Sequence, residues 1–234
     1  MKTIATQPVR RVALASVTAL LATLGLTGAA SAEPTIHQDG THVGVGAAIS
    51  TFGFVLSGNN VVSPSLLQGG GLYFPIDIGA SLRVEPELGM ARYSDSRTSG
   101  GLETSESITT IRLGSGLFYR AALGDTSTAY IGPRLALVLN SASDEDLQPD
   151  ASGNETKVTA TVSRTDFSLG LAGGGEHFFS QYFSLGAEAQ LGMTFLGNPT
   201  VEYDPARDDP DSDSESSGFA LETRTLLFAR LFFF

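Results

Sequence analysis

Apolar segments of this chain are joined alternately by long polar stretches and by tight turns, and few folds produce that alternation. The long stretches fall at residues 57–65, 95–107, 141–157 and 197–217. The tight ones fall at residues 78–81, 123–126 and 180–182. Seven connections imply eight strands. A transmembrane β-barrel has short turns on one side of the bilayer and long loops on the other. The sequence therefore predicts an all-β fold: an eight-stranded antiparallel transmembrane β-barrel. A soluble eight-stranded barrel of the lipocalin kind would not explain the alternating connection lengths.

The expected strands are residues 43–56, 67–78, 82–94, 108–123, 128–140, 158–179, 183–196 and 218–233. Each reaches the 9–11 residues that a tilted strand needs to span a bilayer. Period-two alternation gives each strand one apolar and one polar face. It is clearest in the third strand, where Leu82, Val84, Pro86, Leu88 and Met90 share one face, and Arg83, Glu85 and Glu87 the other. The same parity turns Arg112, Arg120, Arg134, Arg164, Asp166, Glu176, Glu188, Glu222, Arg224 and Arg230 inward. Seven Arg then face six carboxylates. Many glycines sit within these segments, where they would weaken a soluble sheet but suit a tightly curved barrel with large inward neighbours. The first strand alternates poorly around Gly44–Phe54, as a bulge would make it do. The last strand has two registers open. Turning Glu222, Arg224 and Arg230 inward sends Phe233 toward lipid and Phe234 inward, and the three consecutive Phe leave an aromatic available either way.

Residues 1–32 have the layout of a cleaved signal peptide. Lys2, Arg10 and Arg11 are basic, Val12–Leu26 is apolar, and Ala30-Ser31-Ala32 supplies small residues at the cleavage site. The apolar part is shorter than a membrane-spanning helix requires. Residues 33–42 form a short periplasmic leader, and residues 43–234 the barrel domain. The chain has no Cys, so neither a lipid-anchored Cys nor a disulfide is available. Residues 33–234 carry 11 Lys and Arg against 25 Asp and Glu, a net charge of −14. That balance argues against a nucleic-acid partner.

Gly173-Gly174-Gly175-Glu176-His177-Phe178-Phe179, followed by Phe183-Ser184-Leu185-Gly186-Ala187-Glu188, resembles a recurring hairpin of OmpA/OmpX-like outer-membrane barrels. Arg83–Gly89 resembles the strand after the first periplasmic turn of that family, and the terminal Phe resembles its assembly signal. The resemblance implies export through the periplasm to the bacterial outer membrane. It also implies outer-membrane lipids and lipopolysaccharide as surroundings, recognition of the C-terminal strand by the barrel-assembly machinery, and a monomer. One departure is the absence of Trp, which leaves the aromatic girdles to Phe and Tyr.

Four functional readings arise from these residues. An eight-stranded barrel is just wide enough for its own side chains, so the inward charges are expected to form a structural plug, with a charged ion pathway as the alternative. The three outer stretches at 95–107, 141–157 and 197–217 hold 15 of the 25 acidic residues. A calcium loop starting at Asp209 fails, because Ser214 stands where Gly is required and Ala220 where Glu is required. No metal, cofactor or catalytic site is expected. A lipid-modifying enzyme would need a His near the outer rim. The chain offers only His37 and His42 near its beginning, and His177, with Glu176 and Ser180, beside the third tight turn. Arg92 stands out because parity places it on the lipid side of the third strand, where it could contact lipopolysaccharide phosphate. A bulge turning it inward, or an earlier end to the strand, would remove that contact. The expected role is structural or interactional at the cell surface, with a passive channel for ions or small hydrophobic solutes as the alternative.

Overall fold

The computed structural model describes residues 40–57, 60–62, 70–99, 102–149, 155–204 and 218–233. The expected signal peptide, His37, the acidic run at 208–215 and Phe234 lie outside them. The strands are β1 (Thr41–Ser57), β2 (Asn60–Val62), β3 (Gly71–Tyr73), β4 (Ile76–Ile78), β5 (Leu82–Ser99), β6 (Leu102–Ala122), β7 (Ser127–Pro149), β8 (Glu155–Ser180), β9 (Phe183–Leu196), β10 (Thr200–Asp204) and β11 (Gly218–Phe233).

Eight positions around the wall suffice to close it, because β3 and β4 are two pieces of one barrel strand. Pro75 interrupts that strand, since it has no N–H to donate to the ladder. Its carbonyl still accepts from Gly44 N at 2.8 Å. Burial continues to alternate across the break, with Tyr73, Pro75 and Asp77 inward and Phe74 and Ile78 outward. All neighbours are antiparallel, and β1 pairs with β11 to complete the ring. β2 extends the first hairpin, and β10 pairs with β8 beyond the end of β9.

The three tight turns lie where the sequence places them. Two use glycine in the left-handed region, Gly79 at φ 61° and Gly124 at φ 117°, a conformation costly for residues with a Cβ. The bulge in the first strand lies between Ser50 and Phe52, where the pairing with Leu226 and Thr225 skips Thr51.

Two of the long stretches are not loops. β5 and β6 pair without a register shift as far as Ser99 and Leu102, and β7 and β8 as far as Pro149 and Glu155. Residues 95–107 and 141–157 are therefore mostly hairpin. Their Ser and Thr residues read as loop in composition, yet Thr fits strand geometry well and hydroxyls pair across strands, as Ser143 and Thr161 do at 3.0 Å.

The outward face carries the membrane signature. Leu88, Leu113, Leu137, Phe167, Phe195 and Phe219 form one continuous cross-strand row. Phe74, Tyr119, Phe179, Tyr182 and Phe233 are exposed toward the opposite, tight-turn end. Phe and Tyr thus supply the exposed aromatic residues of this Trp-free chain. Pairing also fixes the last strand: Phe232 is 2% exposed and inward, and Phe233 is 57% exposed and outward.

A closed ring leaves no unpaired edge in the hydrocarbon, so the folded protein should resist SDS until boiled. Gel mobility before and after heating checks this. A closed barrel gives two bands that merge on boiling, and it fractionates with the outer membrane.

Candidate functional site

Inward parity brings the charged side chains into the bore, and the sheet's curvature packs them against one another. Near the tight-turn end, Asp77 accepts from Arg83 Nε at 2.6 Å and lies 2.8 Å from Arg120 Nη1. Arg83 Nη2 reaches Glu176 at 2.7 Å, and Arg230 Nη1 reaches the other oxygen of Glu176, also at 2.7 Å. Thr128 and Ser184 add hydroxyl donors to the same carboxylate, each at 3.3 Å.

Glu85 links this lower group to the middle of the bore. One of its oxygens meets Arg230 Nη2 and the other Arg134 Nη2, each at 2.5 Å. Arg134 also donates to Glu87 at 3.0 Å and to Glu188 through Nε at 2.8 Å. Tyr130 donates to Glu188 at 2.9 Å. Above them, Glu87 accepts from Arg112 at 2.6 Å and lies 3.5 Å from Arg224, while Arg112 lies 3.6 Å from Glu222. The chain of contacts from Asp77 to Glu222 is unbroken.

Arg164 and Asp166 stand apart. They pair with each other at 2.7 Å, and Asp166 also accepts from Asn140 and from Gly197 N. The Arg164 side chain is 37% exposed, so this pair lies toward the open end and not within the interlocked set.

Aromatic rings separate the cations. Arg134 lies 4.8 Å from the centre of the Phe118 ring and 5.2 Å from Tyr73, and Arg230 lies 3.7 Å from Phe228. Desolvated contacts of this kind contribute about 2 kcal/mol. Phe178 and Phe232 lie with ring centres 5.7 Å apart, and Arg83 sits over Phe232. Glycines make room: a Cβ at Gly46 would lie 2.7 Å from Arg230 Cγ, and one at Gly174 would lie 2.6 Å from the Tyr130 hydroxyl.

Reading charge alone overlooked Asp77 and the inward aromatics. The signal for them was present, because Asp77 alternates with Ile76 and Ile78, and Phe118 shares the parity of Arg112 and Arg120. With Asp77, seven carboxylates face the seven Arg.

The His-based grouping does not assemble. Successive residues of a strand point to opposite faces, so Glu176 enters the bore while His177 points outward. His177 Nδ1 lies 2.9 Å from Ser127 Oγ, and its ring meets Phe179 edge-on at 4.9 Å. Ser180 instead accepts from Tyr182 N at 3.2 Å. Among the described residues no group of three His, Asp or Glu is arranged to hold a metal ion.

Above the bore, Glu145 accepts from Ser105 and pairs with Lys157 at 2.7 Å on the outer face. Hydrogen bonds from Lys157 and Ser105 hold its carboxyl below the usual carboxylate range. Arg92 pairs with Thr109 in an unshifted ladder, and its side chain is exposed on the face of Leu88 and Met90. Neither an inward-turning bulge nor an early end to the strand occurs there.

The profile described as the outer membrane protein beta-barrel domain matches residues 18–220. The chain belongs to this outer-membrane β-barrel family. It is a protein of the bacterial outer membrane, in an environment of lipid and lipopolysaccharide. No curated protein matches the chain. Solved structures similar to it include Ail, the attachment invasion locus protein of Yersinia pestis, in complex with the heparin analogue sucrose octasulfate. That match has 12% identity and a TM-score of 0.46, and covers 82% of this chain and 97% of that one. A major outer membrane protein from Thermus thermophilus is similar at 17% identity and a TM-score of 0.47, covering 83% of this chain and 100% of that one. Neisserial surface protein A is similar at 18% identity and a TM-score of 0.43, covering 82% of this chain and 97% of that one.

Arg134→Ala should lower the unfolding free energy by about 3–5 kcal/mol, because it removes the cation shared by the buried carboxylates Glu85, Glu87 and Glu188. Arg164→Ala should cost less, about 1–2 kcal/mol, because Arg164 is partly exposed and the buried Asp166 keeps its hydrogen bonds from Asn140 and Gly197 N. Urea titration of the refolded barrel in lipid vesicles distinguishes the two.

Proposed function

We propose that this outer-membrane barrel is closed to solutes and acts at the cell surface through the parts of its wall that rise above the bilayer. The observation that carries the reading is the Arg134 guanidinium, held mid-bore by Glu85, Glu87 and Glu188. A conducting path would have to break that group of ion pairs. The space beside it, bounded by Arg112, Arg134, Gln190, Glu222 and Arg224, has a volume of about 10 Å³, enough for a single water. The charge set is thus a structural plug in this reading, with no catalytic role.

Planar-bilayer recording on the refolded protein tests it. The closed reading expects no unitary steps above the lipid baseline. Reproducible ohmic steps from wild-type protein would replace it with the passive-channel reading.

Placing the interaction role in the hairpins makes them separable from the barrel. Replacing residues 96–104 and 146–157 by short turns should leave insertion and heat-modifiable mobility intact, because the interlocked ion pairs lie below both segments. Collapse of the trimmed protein to a single unfolded band would assign those hairpins to the fold itself.

The remaining parts of the reading concern biogenesis. Cleavage after Ala32 would start the mature chain at Glu33, which intact mass measurement of the membrane-extracted protein checks. Phe233, on the lipid side at the end of β11, suits recognition of that strand by the assembly machinery, and a wall that closes within one chain is consistent with a monomer.

A further inference from the structure

We propose that Arg92 and the hydroxyl rows beside it form a docking surface for the phosphate-bearing headgroup of an outer-leaflet glycolipid. The outward face changes character at the same cross-strand register on β5 to β8. Met90, Ile111, Leu139 and Thr165 make up the last mainly apolar row on β5 to β8. The next outward row is Arg92, Thr109, Ser141, Ser163 and Thr200, each paired with the one beside it. The row above is Ser94, Ser107, Ser143, Thr161 and Glu202. Five adjacent strands thus present one cation, Arg92 on β5, hydroxyls beside it, and one carboxylate, Glu202, on the far strand β10.

Strand geometry places Arg92 itself independently. Ten residues separate Leu82, at the tight-turn end, from Arg92. At about 3.3 Å per residue and a tilt of 35–45°, they rise about 23–27 Å. The apolar band of an outer-membrane barrel is about 25 Å tall. Arg92 therefore emerges at the outer headgroup level, where an outward Arg is nearly free of the cost it carries at the midplane.

Among the described residues none forms a side-chain hydrogen bond or ion pair with the Arg92 guanidinium, whereas Lys157, higher on the same face, is committed to Glu145. A guanidinium meets phosphate with two parallel N–H donors, and the neighbouring Ser and Thr hydroxyls can donate to or accept from the sugar and phosphate oxygens. In residues 33–234, whose net charge is −14, an outward Arg beside hydroxyls favours an anion at this position. The inference goes beyond the closed-barrel reading and does not depend on whether the bore conducts.

The test uses the full mature protein refolded in detergent, with lipopolysaccharide as the probe, either phosphorylated on its lipid A or enzymatically dephosphorylated. Bound lipid per barrel is read by native mass spectrometry across a titration. Wild-type protein should bind the phosphorylated form about tenfold more tightly than Arg92→Gln does, the loss of roughly one charge-assisted contact. Arg92→Lys should recover part of the difference, and the dephosphorylated form should bind wild type no better than the Gln variant. Heat-modifiable mobility confirms that each variant is folded. Equal binding of phosphorylated lipid by wild type and Arg92→Gln would overturn the proposal. Should the variant not fold, equal binding of the two lipid forms by wild type would overturn it as well. Displacement of the lipid by inorganic phosphate at comparable concentration would also overturn it, by showing a simple anion site in place of a headgroup surface.

Discussion

An arginine withdrawn from water must meet carboxylates at hydrogen-bonding distance, and this barrel is organised around that requirement. Arg83, Arg134 and Arg230 are almost wholly buried, and together they are held by Asp77, Glu85, Glu87, Glu176 and Glu188. Desolvation costs several kcal/mol per ion, so no single pair is sufficient in itself. What makes the arrangement viable is sharing. Glu85 serves two guanidiniums and Glu176 three, Arg134 serves three carboxylates, and aromatic faces occupy the space between. The glycines of β1, β8 and β9 follow from the same demand, because a side chain at Gly46, Gly174 or Gly186 would occupy space taken by Arg230, Tyr130 or Phe228.

The ion pairs also act on register. Glu85 of β5 binds Arg134 of β7 and Arg230 of β11, and Glu176 of β8 binds Arg83 of β5. These contacts run across the bore and tie together strands that are not neighbours in the sheet. A slip of one residue on any strand would turn its charges into the lipid and its Leu and Phe residues inward. The polar network and the apolar outer band therefore enforce the same register, one from each side of the wall.

Within the bilayer, this double constraint made much of the fold legible from sequence. Strict alternation at Leu82–Met90 identifies both faces of the third barrel strand, and the same parity locates every Arg in the bore. Legibility failed where the constraint relaxes. The second barrel strand is broken at Pro75, and a proline does not reveal which flanking residues keep pairing. The end of β11 is ambiguous because Phe232, Phe233 and Phe234 are chemically equivalent, and only the pairing with β1 and β9 separates inward from outward. Asp77 was missed for a different reason: it is the single charge of a short segment, and its partner Arg83 lies across a turn.

Above the bilayer the contrast between the two faces is lost. Tyr93, Ile108, Ala142, Val162 and Val201 form a cross-strand row on the side that carries charges lower down. Opposite them stand the Ser and Thr rows. With water outside the wall, an apolar outer face no longer has a lipid to meet, and hydroxyls take its place. With one apolar row inward and then Asp95, Glu106 and Asp144 on the same side, the barrel's amphipathic signal fades midway along β5 to β8, which is why 95–107 and 141–157 read as loops although they continue as strands. This loss of contrast also separates two kinds of constraint along one strand. Below Arg92 each inward residue answers to the ion network and each outward residue to lipid. Above it neither applies, so the hairpins can vary in sequence while the ladder hydrogen bonds preserve their shape. The part of the wall freest to specialise is therefore the part that faces the cell's surroundings.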